Sequence, residues 1–265
     1  MKDQSIKAGL LNRILALALG VLLVIAANDL SAADITWGTP TNVAGVSDVS
    51  SLGTLFEAVN TGSDSNSVPR TTTVNGVPFT GWAINGAGAN LSPGGHFSFT
   101  AAAGYFHASF NGFGLGAAPF SNLAASYQDL LGWGNFPVSQ TNPNDFTGAL
   151  TLTISGLTVG GVYQFQWWTN DARPFATGTV MATGGAFSIA LSPNTSNTAG
   201  GLGQFGIGTF TADATSQLIT FATTGNATLI NGFQLRVIPE PSNVAFVVAG
   251  LFVFGLLGRR GALSP

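Results

Sequence analysis

Residues 150–168 constrain the fold class more tightly than any other stretch of the chain. Leu150-Thr151-Leu152-Thr153-Ile154 alternates apolar and polar side chains, the two-residue period of a half-buried strand. A short connector, Gly156-Leu157-Thr158-Val159-Gly160-Gly161, leads into a second alternating run. There Tyr163, Phe165 and Trp167 share one face, and Val162, Gln164, Gln166 and Trp168 share the other. Phe187–Leu191, Gln204–Thr211, 217–223 and 227–237 continue the series, rich in Thr, Val, Ile and aromatic residues that favour strands. Asn75-Gly76 lies between 71–74 and 77–80 and is a type I′ hairpin signal. Gly184-Gly185 separates 179–182 from 187–191 in the same manner. Asn231-Gly232 fits either a turn or a bulge in one long final strand, and the bulge is favoured because Phe233, Leu235 and Val237 keep the alternation. One helix is expected. Leu123, Tyr127, Leu130 and Leu131 stand at helical spacing behind a Ser121 or Asn122 cap, with Gly132 and Gly134 closing it. The expectation is an all-β, jelly-roll-type β-sandwich with one short surface helix plugging an end.

The two ends differ from this body. Lys2, Lys7 and Arg13 precede an apolar run over residues 14–27, followed by Asn28-Asp29-Leu30-Ser31-Ala32-Ala33. Basic, apolar, then small is the layout of a secretory signal helix, and Ser31 and Ala33 fit the −3 and −1 positions of cleavage after Ala33. At the other end, Pro239-Glu240-Pro241 precedes an uncharged apolar segment, 244–257, and then Arg259-Arg260. As a helix those fourteen residues would span about 21 Å, short of the roughly 30 Å, or about 20 residues, that a stable membrane span needs. The arginine pair suits the cytoplasmic face. The chain therefore divides into 1–33, a body of 34–238, and a sorting tail of 239–265.

The tail resembles the PEP-CTERM sorting signal of exported bacterial proteins in the intact tripeptide, the charge-free run and the terminal arginines. That resemblance implies transient membrane insertion, recognition by an exosortase-type membrane enzyme near the PEP motif, and removal of the tail. Its other processing partner is signal peptidase. The implied location is the inner membrane in transit, then the cell surface or extracellular matrix. The body resembles secreted PEP-CTERM proteins whose domains look like galactose-binding-type jelly rolls. The residues that carry this are Thr73-Val74-Asn75-Gly76-Val77-Pro78-Phe79, Gly156 through Phe165, Asn170-Asp171-Ala172-Arg173, Gly208-Thr209-Phe210-Thr211-Ala212-Asp213 and Asn231-Gly232-Phe233-Gln234-Leu235-Arg236. They cover about half of the body. This likeness implies a fold, a cell-surface setting and carbohydrate binding.

Charge excludes several functions. The body's cations are Arg70, Arg173 and Arg236, with no lysine, against eight carboxylates. Nucleic acid binding requires clustered basic residues, and none exist here. Attachment to anionic lipid surfaces fails for the same reason. Charged residues make up 7% of the chain, where ordinary domains have roughly 25%, so solubility rests on Ser, Thr, Asn and Gln. There is no cysteine, and a body of this length can bury a full core without disulfides.

The candidate chemistry centres on the strand that ends at Trp168. With Tyr163, Phe165 and Trp167 facing the core, Trp168 would stand on a polar sheet face beside Gln164 and Gln166. Indole stacks on the C–H face of a sugar and amides bond its hydroxyls. Asn170, Asp171 and Arg173 on the adjoining loop extend the candidate glycan face. The alternatives are that Trp168 packs under a loop, and that Asp171 and Arg173 form an ion pair or Asx-turn pinning that loop. His96 and His107, with no cysteine, do not supply a zinc site. No Gly-x-Ser-x-Gly elbow is present, no acid pair sits in a recognisable glycosidase motif, and Glu57 is the body's lone glutamate. The expectation is therefore no catalytic residue, no metal and no cofactor. The oxygens of Asn142-Pro143-Asn144-Asp145 are the one cluster suited to a structural calcium ion. No Thr-x-Thr ladder recurs at fixed spacing, so ice binding is not inferred. The leading expectation is a non-enzymatic, exopolysaccharide-associated surface protein that binds carbohydrate. The rivals are a matrix or coat protein without a ligand pocket, and an enzyme acting on polysaccharide.

Overall fold

The computed structural model describes residues 32–62, 68–84, 86–87, 90–101, 105–109, 116–137, 146–225 and 227–239. Both hydrophobic ends, Glu240, Pro241, Arg259, Arg260 and the 142–145 cluster lie outside these residues. Among the described residues no helix is long and apolar enough to cross a membrane.

Seventeen strands form among the described residues, most of them short. In chain order they are β1 Thr36–Trp37, β2 Thr41–Asn42, β3 Thr54–Asn60, β4 Thr72–Val74, β5 Val77–Gly81, β6 Gly86–Ala87, β7 Asn90–Leu91, β8 Phe97–Ala101, β9 Tyr105–Ser109 and β10 Gly134–Pro137. The second half adds β11 Leu150–Ser155, β12 Val162–Thr169, β13 Val180–Gly184, β14 Phe187–Leu191, β15 Gln204–Thr211, β16 Ser216–Thr223 and β17 Gly232–Ile238. The larger sheet runs β1-β15-β12-β17-β3-β5-β4, with β2 also on β15. The second runs β14-β13-β16-β11-β8-β7, and a small sheet joins β10, β9 and β6. The described residues form an all-β sandwich with one short helix.

Alternation dictates which side chains meet between the sheets. Leu150, Leu152 and Ile154 of β11 and Ile219 and Phe221 of β16 point inward. They meet Tyr163, Phe165 and Trp167 of β12 and Phe233 and Leu235 of β17. Phe233 lies at its centre, edge-on to Phe97 at 4.8 Å and to Phe99 at 5.6 Å. The outward face of the six-stranded sheet mixes hydroxyls with exposed apolar side chains such as Met181 and Leu218, and one row of it is hydroxyl throughout. Thr100, Thr151, Thr220, Thr183 and Ser188 fall in register across β8, β11, β16, β13 and β14.

A second apolar cluster lies on the other face of the larger sheet. It gathers Val43, Val49, Phe79, Phe120, Tyr127, Leu130, Leu131, Trp168 and Phe205. The helix, Ala125–Leu131, is part of this layer, so it covers a sheet face rather than plugging an end. Its N-cap is Ala124, with no side-chain cap bond; the expected Ser121 and Asn122 lie in a preceding 3-10 turn, Phe120–Asn122.

Two turns differ from expectation by local geometry. Asn75 and Gly76 both take positive φ, 50° and 74°, as a type I′ hairpin requires. The hairpin between β13 and β14, however, turns at Gly185-Ala186, with Gly184 paired to Phe187. Asn231-Gly232 is not a bulge within a long strand. β17 begins at Gly232, and the register slips instead between Leu235 and Arg236, opposite β3. Asn231 stands just before β17, its backbone N–H bonded to the Trp168 carbonyl at 3.1 Å and its side-chain amide to the carbonyls of Leu131, Trp133 and Asn170. At the N-terminal boundary Ala33 is buried, and its carbonyl accepts a bond from Gln217 Nε2 at 2.9 Å. Pro239 is exposed, directly after β17.

Candidate functional site

The β12 face that carries Gln164, Gln166 and Trp168 is polar and aromatic, as the alternation requires, but it is not open. Gln164 is 7% exposed and Gln166 and Trp168 are 0% exposed. A strap of chain, residues 43–53, and the helix cover it. Trp168 sits edge-on to Phe79 at 5.7 Å, and its indole N–H donates to the Tyr127 hydroxyl at 2.9 Å. That hydroxyl donates in turn to Asp48 Oδ2 at 3.1 Å. Burial first, then the charge of Asp48, push the Tyr127 phenol well above the ordinary tyrosine range. Trp168 therefore belongs to the second apolar core, and the expected sugar-stacking role is corrected on that ground.

The amides are occupied as well. Gln164 Oε1 accepts from Ser50 Oγ at 2.5 Å, Gln166 Oε1 accepts from the Ser50 N–H at 2.9 Å, and Gln166 Nε2 donates to the Asp48 carbonyl at 2.7 Å. Gln234, beside Gln166 in the ladder, donates to the Ser50 carbonyl at 2.9 Å. Arg236 donates to the carbonyls of Ser51, Leu52 and Gly53 and to Gln234 Oε1. Burial lowers the Arg236 guanidinium from its ordinary value. These side chains bind the strap, not a guest. Asn170 is also enclosed: its Oδ1 accepts from the Gly203 N–H at 2.8 Å and its own N–H donates to Asn231 Oδ1 at 2.5 Å. Asn170 is thus a joint between loops and is withdrawn from the glycan face.

Asp171 and Arg173 behave as an ion pair. Arg173 Nη2 lies 2.6 Å from Asp171 Oδ2 and Nε lies 2.8 Å from Oδ1. The Arg173 backbone N–H closes an Asx-turn on Oδ1 at 3.1 Å. The pair also borders a cavity of about 140 Å³. Phe146, Ala176, Pro193, Ala227 and Leu229 form its carbon walls, and Phe175 and Thr177 complete the lining. Phe175 is 56% exposed, and the Arg173 guanidinium sits 4.8 Å from its ring centroid. Of the six expected glycan residues, the structure brings only Asp171 and Arg173 to this cavity. Sequence reasoning missed Phe175 and the walls. Phe175 is a lone aromatic in the Arg173-Pro174-Phe175 turn, and the walls come from segments far apart in the chain.

The remaining candidates have structural roles. Glu57 is buried and accepts the N–H groups of Gly94 and His96 at 3.0 and 3.3 Å, capping that turn. His96 packs on Phe56 with ring centroids 4.5 Å apart. Among the described residues no group of three or more His, Asp or Glu side chains is placed to hold a metal ion. Comparison with protein families, with curated proteins and with solved structures finds no match for this chain.

Proposed function

We propose that this chain is an exported, non-enzymatic protein of the bacterial cell surface or exopolysaccharide layer. Signal peptidase cuts after Ala33, and an exosortase-type enzyme removes a PEP-CTERM tail. The observation that carries this reading is the tail itself: Pro239-Glu240-Pro241, a charge-free apolar segment at 244–257, and Arg259-Arg260. The body is a sandwich of jelly-roll type whose role is association with envelope glycans. Its charge supports that setting. Arg70 pairs with Asp129 at 3.0 Å, Arg173 pairs with Asp171, and Arg236 is buried among carbonyls. A sparsely charged surface rich in Ser, Thr, Asn and Gln suits a polysaccharide and gives a nucleic acid or an anionic membrane no cationic patch to bind.

The test is fractionation of the native host. The chain with an unaltered tail should be recovered, trimmed at both ends, from the envelope and extracellular matrix. A chain with Arg259 and Arg260 changed to Ala, or with Glu240→Ala, should accumulate unprocessed in the inner membrane or disperse into the medium. Unchanged sorting of both variants would refute the tail reading.

A further inference from the structure

We infer that β14 is a pairing edge, and that its partner is the β14 of a second copy of this chain, joined antiparallel about a two-fold axis. β14 ends the six-stranded sheet and is five residues long. The other strands that end a sheet among the described residues, β1, β2, β4, β6, β7 and β10, have two to four residues each. β4 is also tied to the helix, where Thr72 Oγ1 donates to the Ser126 carbonyl at 3.0 Å.

The hairpin fixes which backbone groups of β14 are unmet. It turns on Gly185-Ala186, so Gly184 and Phe187 form the first bonded pair and bonding alternates from there. Phe187, Ile189 and Leu191 therefore bond β13, and Ser188 and Ala190 direct their N–H and C=O groups away from it. The next residue of that phase behaves accordingly: the Ser192 N–H donates to Gln204 Oε1 at 2.8 Å. Among the described residues nothing bonds the outward groups of Ser188 and Ala190, and both residues are exposed.

Antiparallel pairing centred on Ile189 meets all of these groups. Ser188 then faces Ala190 of the second copy, and each N–H donates to the other's carbonyl on either side of the axis. The side chains match as well. On the core side Phe187, which is 52% exposed, faces Leu191 of the second copy and gains an apolar cross-strand neighbour. Natural sheet edges are guarded by Lys, by Pro or by a bulge. β14 reads Phe-Ser-Ile-Ala-Leu, with no such residue and an unbroken register along β13. The chain is net acidic, so two copies approach with least repulsion along a strand that carries no charge. The seam is about 17 Å long at 3.4 Å per residue and smaller than a standard interface, so the dimer is reversible.

The experiment is sedimentation velocity on the protein purified from its host, from about 1 μM to about 0.5 mM. The protein should pass from monomer toward dimer over that range. Ala190→Pro removes an outward N–H, a change that an edge strand tolerates, and Ala190→Lys sets a charge at the seam. Each should weaken dimerisation by about tenfold or more with an unchanged circular dichroism spectrum. If the proline variant fails to fold, the lysine variant decides. Register is read separately, in a chain that has no cysteine of its own. A mixture of Ser188→Cys and Ala190→Cys proteins should form a disulfide-linked dimer in air faster than either protein alone. A monomer at every concentration, a dimer undiminished in folded Ala190→Lys, or equal cross-linking in mixed and unmixed samples overturns the pairing.

Discussion

Trp168 shows how one side chain decides between two accounts of the same strand. Alternation places it on the face opposite Trp167, and that much is correct. Whether the face meets water depends on the strap at 43–53 and the helix at 125–131, neither of which leaves a trace near residue 168. Because Trp168 is fully buried, Trp168→Ala should destabilise the fold by about 3–5 kcal/mol, measured by chemical denaturation. A near-neutral result would return Trp168 to the surface. Tyr127 gives a second prediction. Its phenol is held above the ordinary value, so the folded state keeps a proton that the unfolded state releases above about pH 10. Stability from this group is complete below that pH and declines as pH rises toward the folded value. An alkaline unfolding titration should show the decline, and Tyr127→Phe should flatten it; an identical slope in the variant would contradict the assignment. At this scale the Asp171–Arg173 pair was legible, since two residues of opposite charge two positions apart reach each other through any tight turn. The cavity they border was not, because its walls come from 146, 176, 193, 227 and 229.

Among the elements, the strap is the part whose tether can be tested alone. It is held by Gln164 and Gln166 from β12, Gln234 and Arg236 from β17, and Asn75 from the β4–β5 turn, which donates to the Val49 carbonyl at 2.8 Å. Each such bond contributes about 0.5–1.5 kcal/mol net, more where the donor is charged. Arg236→Lys keeps the charge but cannot span the carbonyls of Ser51, Leu52 and Gly53 together. Amide exchange should then speed up over 50–53 while β12 and β15 stay protected. Uniform acceleration across the larger sheet would mean that Arg236 supports the sheet rather than the strap. Strands β11, β12, β14, β15 and β16 were readable from a two-residue period alone. The helix was readable in its apolar face but not in its location, since a stripe on one helix does not say which sheet it meets. The hydroxyl row across β8, β11, β16, β13 and β14 was invisible for a similar reason. It is a product of register between strands distant in sequence, and a twist of about 20–25° per strand curls it away from a flat lattice.

At the scale of the whole molecule, the two ends and the body have different physical characters. The body is sparsely charged and net acidic, with Arg70 and Arg173 in ion pairs and Arg236 bonded to carbonyls. Basic groups stand before the N-terminal apolar segment and after the C-terminal one, the placement that the proposed signal and sorting tail call for. The buried Ala33 carbonyl accepts a bond from Gln217. The proposed cleavage after Ala33 would remove that bond, at a cost of about 0.5–1.5 kcal/mol. The exported protein should therefore begin at Asp34, and that end is read together with the other in a single experiment. The measurement that tests the account most directly is the intact mass of the protein recovered from its host's extracellular matrix. The account predicts a species that starts at Asp34 and has lost the apolar segment and Arg259-Arg260. A full-length species, or one that keeps the tail in the inner membrane with no processed form outside the cell, would contradict it.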